Sequence, residues 1–181
     1  MGLHVMVDLE TMGTGNDAAI ISLGAVKFDP MTEEIGDKFY VRVSLESSKA
    51  HGLTLDASTI MWWMHPDRAA AREALIVDED HDLATALEGF SMWYGTDTLP
   101  VWGNGATFDN VILRAAFRAC NMETPWPFWA DRCYRTLKSL APDIQLERRG
   151  THHNALDDAE TQAAHMQHIV QHLRELGALK L

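Results

Sequence analysis

The segment Ala19 to Phe28, AIISLGAVKF, restricts the architecture of this 181-residue chain more than any other. It is a nearly continuous run of β-favouring apolar residues, the pattern of a strand covered on both faces. Such a strand needs neighbours at its edges and helices above and below. The flanking sequence supplies them. In Val5-Met6-Val7-Asp8-Leu9-Glu10, Val5, Val7 and Leu9 point to one side of a strand while Met6, Asp8 and Glu10 point to the other. Asp29-Pro30-Met31-Thr32 reads as a turn, and Phe39 to Val43 alternates as a third strand, so an antiparallel meander is expected. The pattern then changes. Asp56 is placed to N-cap a helix carrying Ile60, Trp62, Trp63 and Met64, and Pro66 suits the first turn of the next. Residues 82–94 read as helix, after the acidic run Asp78-Glu79-Asp80-His81-Asp82, which reads as a solvated loop. Leu99 to Trp102 reads as a strand ending in Gly103-Asn104-Gly105, followed by a helix through Phe108, Ile112, Leu113, Ala116 and Phe117. A short strand at 128–131 and a final helix over roughly 155–174 complete the layout. The expected fold is α/β, one domain, with a mixed central sheet flanked by helices: an antiparallel meander, then parallel strands.

Composition narrows the class. At 46% hydrophobic and 23% charged the chain belongs with globular proteins, and it has no apolar run long enough to span a membrane. No membrane partner is expected. The chain opens on MGLHVMVDLE without the signature of a signal peptide. Its two cysteines, Cys120 and Cys133, are too few for a disulfide framework, which points to reduced thiols and a cytoplasmic location. The net charge of −11 argues at first against nucleic acid, whose binding is driven by Lys and Arg. The distribution is uneven, however. Residues 1–110 hold 18 acids and 6 bases, whereas residues 111–153 hold 7 bases and 4 acids.

Asp8 and Glu10 emerge side by side at the end of a buried strand, because residues i and i+2 share a face. Adjacent anions are costly there unless a cation binds between them. A hard divalent ion with oxygen preference, Mg²⁺ or Mn²⁺, suits the pair. Asp109 lies near the start of the helix that follows the strand at 99–102, at the carboxyl end of a sheet strand, where α/β proteins build sites. A His-x4-Asp spacing occurs at His51/Asp56, His152/Asp157 and His153/Asp158. The first lies far from the other acids in this layout. The final helix separates the other two, since Ala155, Ala159, Ala163, Met166, Val170 and Leu173 form one apolar stripe. Asp158 lies about 90° from the centre of that stripe and can face a cleft, while Asp157 falls on the opposite side. His153 and Asp158 are therefore selected.

With these five residues in place, VDLETMGTGNDAAIISLGAVKFD, GNGATFDNVILRAAF and HNALDDAETQAAH together resemble the three exonuclease motifs of the DnaQ-like superfamily, DEDDh branch. The segments ISLGAVKFD and TIMWWMHPDRAAAREAL are most similar to its small phage-type and bacterial group, which includes phage DNA exonuclease A and a mycobacterial 3′–5′ exoribonuclease. The resemblance implies the ribonuclease H-like fold and a single DnaQ-like exonuclease domain over residues 1–181. It implies 3′–5′ hydrolysis of single-stranded DNA or RNA ends to nucleoside 5′-monophosphates, with two Mg²⁺ or Mn²⁺ ions per site. Carried over by position, Asp8 would bridge both metals, Glu10 and Asp158 would complete the site of the attacking water, and Asp109 would hold the metal nearer the leaving group. His153 would take the proton of that water, a role suited to an imidazole.

The same resemblance makes Thr11 a main-chain contact to the terminal nucleotide and Met12 a hydrophobic wedge beside its base. Arg148 and Arg149, on the approach to His153 with Arg132, Arg135 and Lys138, are placed to meet backbone phosphates. Trp62 and Trp63 either stack on bases or belong to the core, with core favoured for at least one. A homodimer is left open. The alternative reading is a catalytically silent module that binds nucleic-acid ends on the same fold.

Overall fold

The central strand β1 (His4–Thr11) meets different surroundings on its two faces. Val5, Val7 and Leu9 enter one apolar cluster, while Met6 enters another on the opposite side, as the alternation requires. The computed structural model describes residues 2–76 and 80–178. In them β1 pairs antiparallel with β2 (Ile20–Phe28), which pairs antiparallel with β3 (Ile35–Arg42). On its other edge β1 pairs parallel with β4 (Val101–Gly103), which pairs parallel with β5 (Asp131–Cys133). The five-stranded order is β3-β2-β1-β4-β5, the expected meander followed by parallel strands.

The strand bounds differ from the sequence pattern for identifiable reasons. β3 begins four residues earlier than Phe39, because Gly36, Asp37 and Lys38 form an exposed edge whose polar side chains do not alternate. β4 starts at Val101, two residues after Leu99. The Tyr94 hydroxyl donates to the Leu99 carbonyl (2.9 Å) and accepts from its amide (2.7 Å), which removes Leu99 from the ladder. Residues 128–130 form a 3₁₀ turn closed by Ala130 N–H on the Pro127 carbonyl, and β5 begins only at Asp131.

Two short helices escape the sequence reading: α1 (Leu45–Ala50), pinned to β2 by Ser48 Oγ donating to the Ile20 carbonyl, and α6 (Tyr134–Ser139). Helices α2 (Ala57–Met64) and α3 (Ala69–Ala74) flank a 3₁₀ turn at Pro66–Arg68. Asp56 stands at the N-cap of α2, but its carboxylate makes no cap bond; it accepts from Thr14 N–H (2.7 Å) and ties the loop after β1 to the helix. In the acidic run, Asp78 and Glu79 lie outside the described residues. Asp80 pairs with Arg42, and Asp82 caps α4 (Leu83–Tyr94) by accepting from Ala84 N–H.

Two layers cover the sheet. On the Val5/Val7/Leu9 side, Leu83, Leu87 and Phe90 of α4 and Ile112, Leu113 and Phe117 of α5 (Asp109–Ala119) build the larger core with Trp126. On the Met6 side lie Tyr134 of α6 and Ala159, Ala163, Met166 and Val170 of α7 (Ala155–Glu175). Gly24, in the middle of β2 and opposite Asp8, sets the height of α7. A Cβ there would stand 2.2 Å from the Ala155 carbonyl carbon, so only glycine lets the first turn of α7 press onto the strand. No described helix is long and apolar enough to cross a membrane.

Candidate active site

A cleft of about 590 Å³ opens where β1 and β4 end, and three separate chain segments deliver carboxylates to it. β1 contributes Asp8 and Glu10 on the face opposite Leu9. α5 contributes its first residue, Asp109, which sits against Gly103 at the end of β4; a side chain at 103 would meet Asp109 Cβ at 2.9 Å. The Asp109 carboxylate accepts from the Leu9 amide (3.2 Å), which locks α5 to β1 at this point. α7 contributes Asp158 from the turn that Gly24 admits. All four acids are buried.

Candidate oxygens of Asp8, Glu10 and Asp158 lie within 4.8 Å of one another, and those of Asp158 lie equally close to ring nitrogens of His152 and His153. His153 sits on the loop before α7 with φ 64°, and its N–H donates to Asp158 Oδ2 (3.1 Å). Its ring stacks on His152 at 3.7 Å between centroids and meets the Trp62 ring edge-on at 4.8 Å. Asp157 turns away, its carboxylate accepting from Thr151 N–H (2.6 Å). Asp158 thus faces the cleft and Asp157 does not, while both histidines line it.

The electrostatics follow from packing anions out of water. Burial pushes Glu10 up to about 8, with Asp158 and Asp109 adding repulsion. Burial likewise raises Asp8 well above the usual carboxylate range, with Asp109 its strongest anionic neighbour. Asp109 is raised to about 7 by burial, against the pull of the Leu9 amide and Arg135. His153 moves the other way, down to about 4, through burial first and then the neighbouring His152. These residues fit hard divalent cations: the donor set is oxygen-rich and buried, and Asp8 and Glu10 have no salt-bridge partner among the described residues. A bound cation would offset the burial and the mutual repulsion that raise Asp8 and Glu10.

Of the residues selected from sequence, Asp8, Glu10, Thr11, Asp109, Arg148, His153 and Asp158 line the cleft. The structure does not bring Met12 or Arg149 to its wall. Met12 packs against the cluster of Ile21, Trp63 and Ala71, and Arg149 uses its backbone, exchanging hydrogen bonds with Thr161 Oγ1. Trp63 is buried, its Nε1 donating to the Thr11 carbonyl (2.9 Å), whereas Trp62 is 39% exposed at the cleft edge. Sequence reasoning missed Gln162, whose amide donates to Asp8 Oδ1 (2.7 Å). Its spacing of four from Asp158 was the available signal, since i and i+4 share a helix face. Tyr134 was also missed; it reaches the cleft from α6 and is anchored to His165 Nδ1 (2.5 Å).

Comparison with known proteins places the chain among exonuclease folds. The family model described as 3′–5′ exoribonuclease Rv2179c-like domain matches residues 3–170. The exodeoxyribonuclease of Enterobacteria phage T4 is 31% identical over 120 residues, 60% of this chain. That alignment covers 52% of the phage protein, so the chain spans about half the length of this curated relative. The nuclease domain of 3′hExo, a DEDDh family member bound to rAMP, superposes with a TM-score of 0.63 at 18% identity, covering 94% of this chain and 92% of that one. Exonuclease I of E. coli in complex with a dT13 oligonucleotide superposes with a TM-score of 0.69 at 14% identity, covering 98% and 43%. These likenesses show a shared fold, the ribonuclease H-like arrangement of the DEDDh exonucleases.

Proposed function

Because the chain belongs to the family of 3′–5′ exoribonuclease Rv2179c-like domains, within the DnaQ-like superfamily, we propose that its cleft hydrolyses phosphodiester bonds at single-stranded 3′ ends of DNA or RNA and releases nucleoside 5′-monophosphates. One observation carries this reading. Four buried carboxylates from β1, α5 and α7 converge on one cleft beside a histidine.

Asp8, Glu10 and Asp158 would hold divalent cations, Mg²⁺ or Mn²⁺, with Asp109 completing the set for a second ion. When bound, two such ions supply positive charge to both the attacking and the leaving oxygen of an in-line displacement. The chain's own residues do the rest. His153 is neutral near pH 7, since its pKa is lowered to about 4, and so its ring has a free nitrogen to accept the proton of the attacking water. Asp158 holds the loop of His153 through the backbone N–H, coupling the base to the acidic cluster. Gln162 orients Asp8 by donating to Oδ1. Arg135, Lys138 and Arg148 give the cleft wall cationic groups for the phosphates that follow the 3′ end. Trp62 offers a half-exposed ring at the entrance for a base. Cys120 and Cys133 are free thiols, in keeping with work in the cytoplasm.

The matching family model is described as an exoribonuclease domain and the phage relative as an exodeoxyribonuclease, so DNA and RNA are tested together. Matched single-stranded DNA and RNA oligonucleotides, labelled at the 5′ end, are incubated with Mg²⁺, with Mn²⁺ or with excess chelator. The expected result is a ladder shortening from the 3′ end, with 5′-monophosphates as product, only when metal is present. Tight binding without any cleavage would favour the silent end-binding module, and cleavage in chelator would reject the metal-dependent site.

A further inference from the structure

Asp158 is the one member of the acidic cluster, among the described residues, that forms a salt bridge. Its Oδ1 accepts from the Arg148 guanidinium while Oδ2 accepts from His153 N–H. Asp158 is also the carboxylate common to both candidate ligand groups, with Asp8 and Glu10 on one side and His152 and His153 on the other. Arg148 therefore competes for the Asp158 carboxylate with any cation shared by these groups.

The loop around Arg148 is held by its backbone on either side. The Ile144 carbonyl bonds His165 Nε2 (2.9 Å), the Arg149 N–H donates to Thr161 Oγ1 (2.9 Å), and the Thr151 N–H donates to Asp157 Oδ2 (2.6 Å). The Arg148 side chain, 36% exposed, can thus leave Asp158 without unfolding the loop. A guanidinium released there stays on the cleft wall with Lys138 and Arg135, where a phosphate can take it in a bidentate grip.

We propose that Arg148 is a resident counter-ion exchanged for metal: it neutralises Asp158 in the metal-free protein, and cation loading transfers it to a substrate phosphate. This rests on the metal-dependent nuclease reading of the same cleft. The exchange makes metal and nucleic acid bind with positive coupling. Metal must first displace Arg148, and the displaced arginine then improves the hold on substrate. An acidic protein thereby creates its phosphate contact only when the catalytic ions are present.

The test is a Mn²⁺ titration followed by thermal unfolding, without substrate, on wild type, Arg148→Ala and Arg148→Lys. A ligand at free concentration L that binds only the folded state raises the unfolding temperature in proportion to ln(1 + L/Kd), so the Mn²⁺ concentration at which the rise sets in reports affinity. In Arg148→Ala the rise is expected to set in at a Mn²⁺ concentration about fivefold lower than in wild type, the low end of typical couplings. At saturating Mn²⁺ its KM for a single-stranded oligonucleotide should rise, and Arg148→Lys should fall between the two proteins on both readings. An unchanged or higher Mn²⁺ onset in Arg148→Ala, with wild type still stabilised by Mn²⁺ and still cleaving, overturns the exchange alone. A wild type that Mn²⁺ neither stabilises nor activates overturns the nuclease reading and the exchange with it. Unfolding temperatures of the variants in saturating Mn²⁺ near that of wild type verify that they fold.

Discussion

The two faces of β1 are built from alternate residues of one eight-residue strand, yet they do opposite things. Val5, Val7 and Leu9 meet α4 and α5 in a continuous apolar core with Phe90 at its centre. On the other face Met6 packs under α7, but the next two positions, Asp8 and Glu10, are carboxylates buried beside Asp109 and Asp158. One face removes apolar area from water and stabilises the fold. The other concentrates like charges in a poorly solvated cleft and destabilises it until cations arrive. A strand's period of two lets one segment serve both ends, because the faces can be changed independently.

Substitutions on either face should separate the two roles. The largest effect is expected from Asp8→Asn, which removes the central carboxylate while keeping its shape: cleavage of a labelled oligonucleotide should fall on the order of ten-thousand-fold. Phe90→Ala, on the opposite face, should lower stability by about 3–5 kcal/mol in denaturant unfolding, with activity per folded molecule retained. His153→Ala should slow turnover by about 100- to 1,000-fold in single-turnover assays, in the range for loss of a general base, without lowering the unfolding temperature comparably. Gly24→Ala is the change that crosses the divide. It pushes α7 off β2, so thermal unfolding should record a loss of about 1–3 kcal/mol together with reduced activity, because Asp158 moves with the helix.

The smallest effect is a pH dependence confined to the acidic face. Glu10 and Asp109 have folded-state pKa values of about 8 and about 7, above those of an unfolded chain near 4. Between these limits the native state holds more protons than the unfolded state, so stability falls as pH rises. Below about pH 6.5 the lowered His4 and His153 act in the opposite sense. Unfolding temperatures in chelator should therefore decline from about pH 6.5 to pH 8, and Mn²⁺ should flatten the decline. A metal-free protein equally stable across that range would show that the carboxylates are better solvated than their burial indicates.

Much of this division was legible in sequence, and for local reasons. The alternation of Val5 to Glu10, the apolar run of β2 and the stripe of α7 each lie within one element, where periodicity reports the face directly. The same periodicity chose Asp158 over Asp157. The remainder depends on contacts between elements. Gln162 acquires its role only when α7 crosses β1, and Arg148 only when its loop folds back over Asp158. Leu99 loses its ladder position to a tyrosine hydroxyl five residues away, which no β pattern records. Met12 has the hydrophobicity of a wedge, but the cluster of Ile21 and Trp63 takes it instead. Gly24 was in plain view as a glycine inside an apolar strand. Its meaning, close approach of another backbone, becomes specific only once α7 is known to lie there.

The central claim is that the Asp8 face trades stability for a cation-binding site, and thermal unfolding of Asp8→Asn beside wild type at pH 8 tests it most directly. In excess chelator the variant is expected to unfold at a higher temperature than wild type, because one buried negative charge has been removed from the cluster. Saturating Mn²⁺ should then raise the unfolding temperature of wild type and leave that of the variant nearly unmoved. A variant less stable than wild type in chelator, or stabilised equally by Mn²⁺, would contradict the claim.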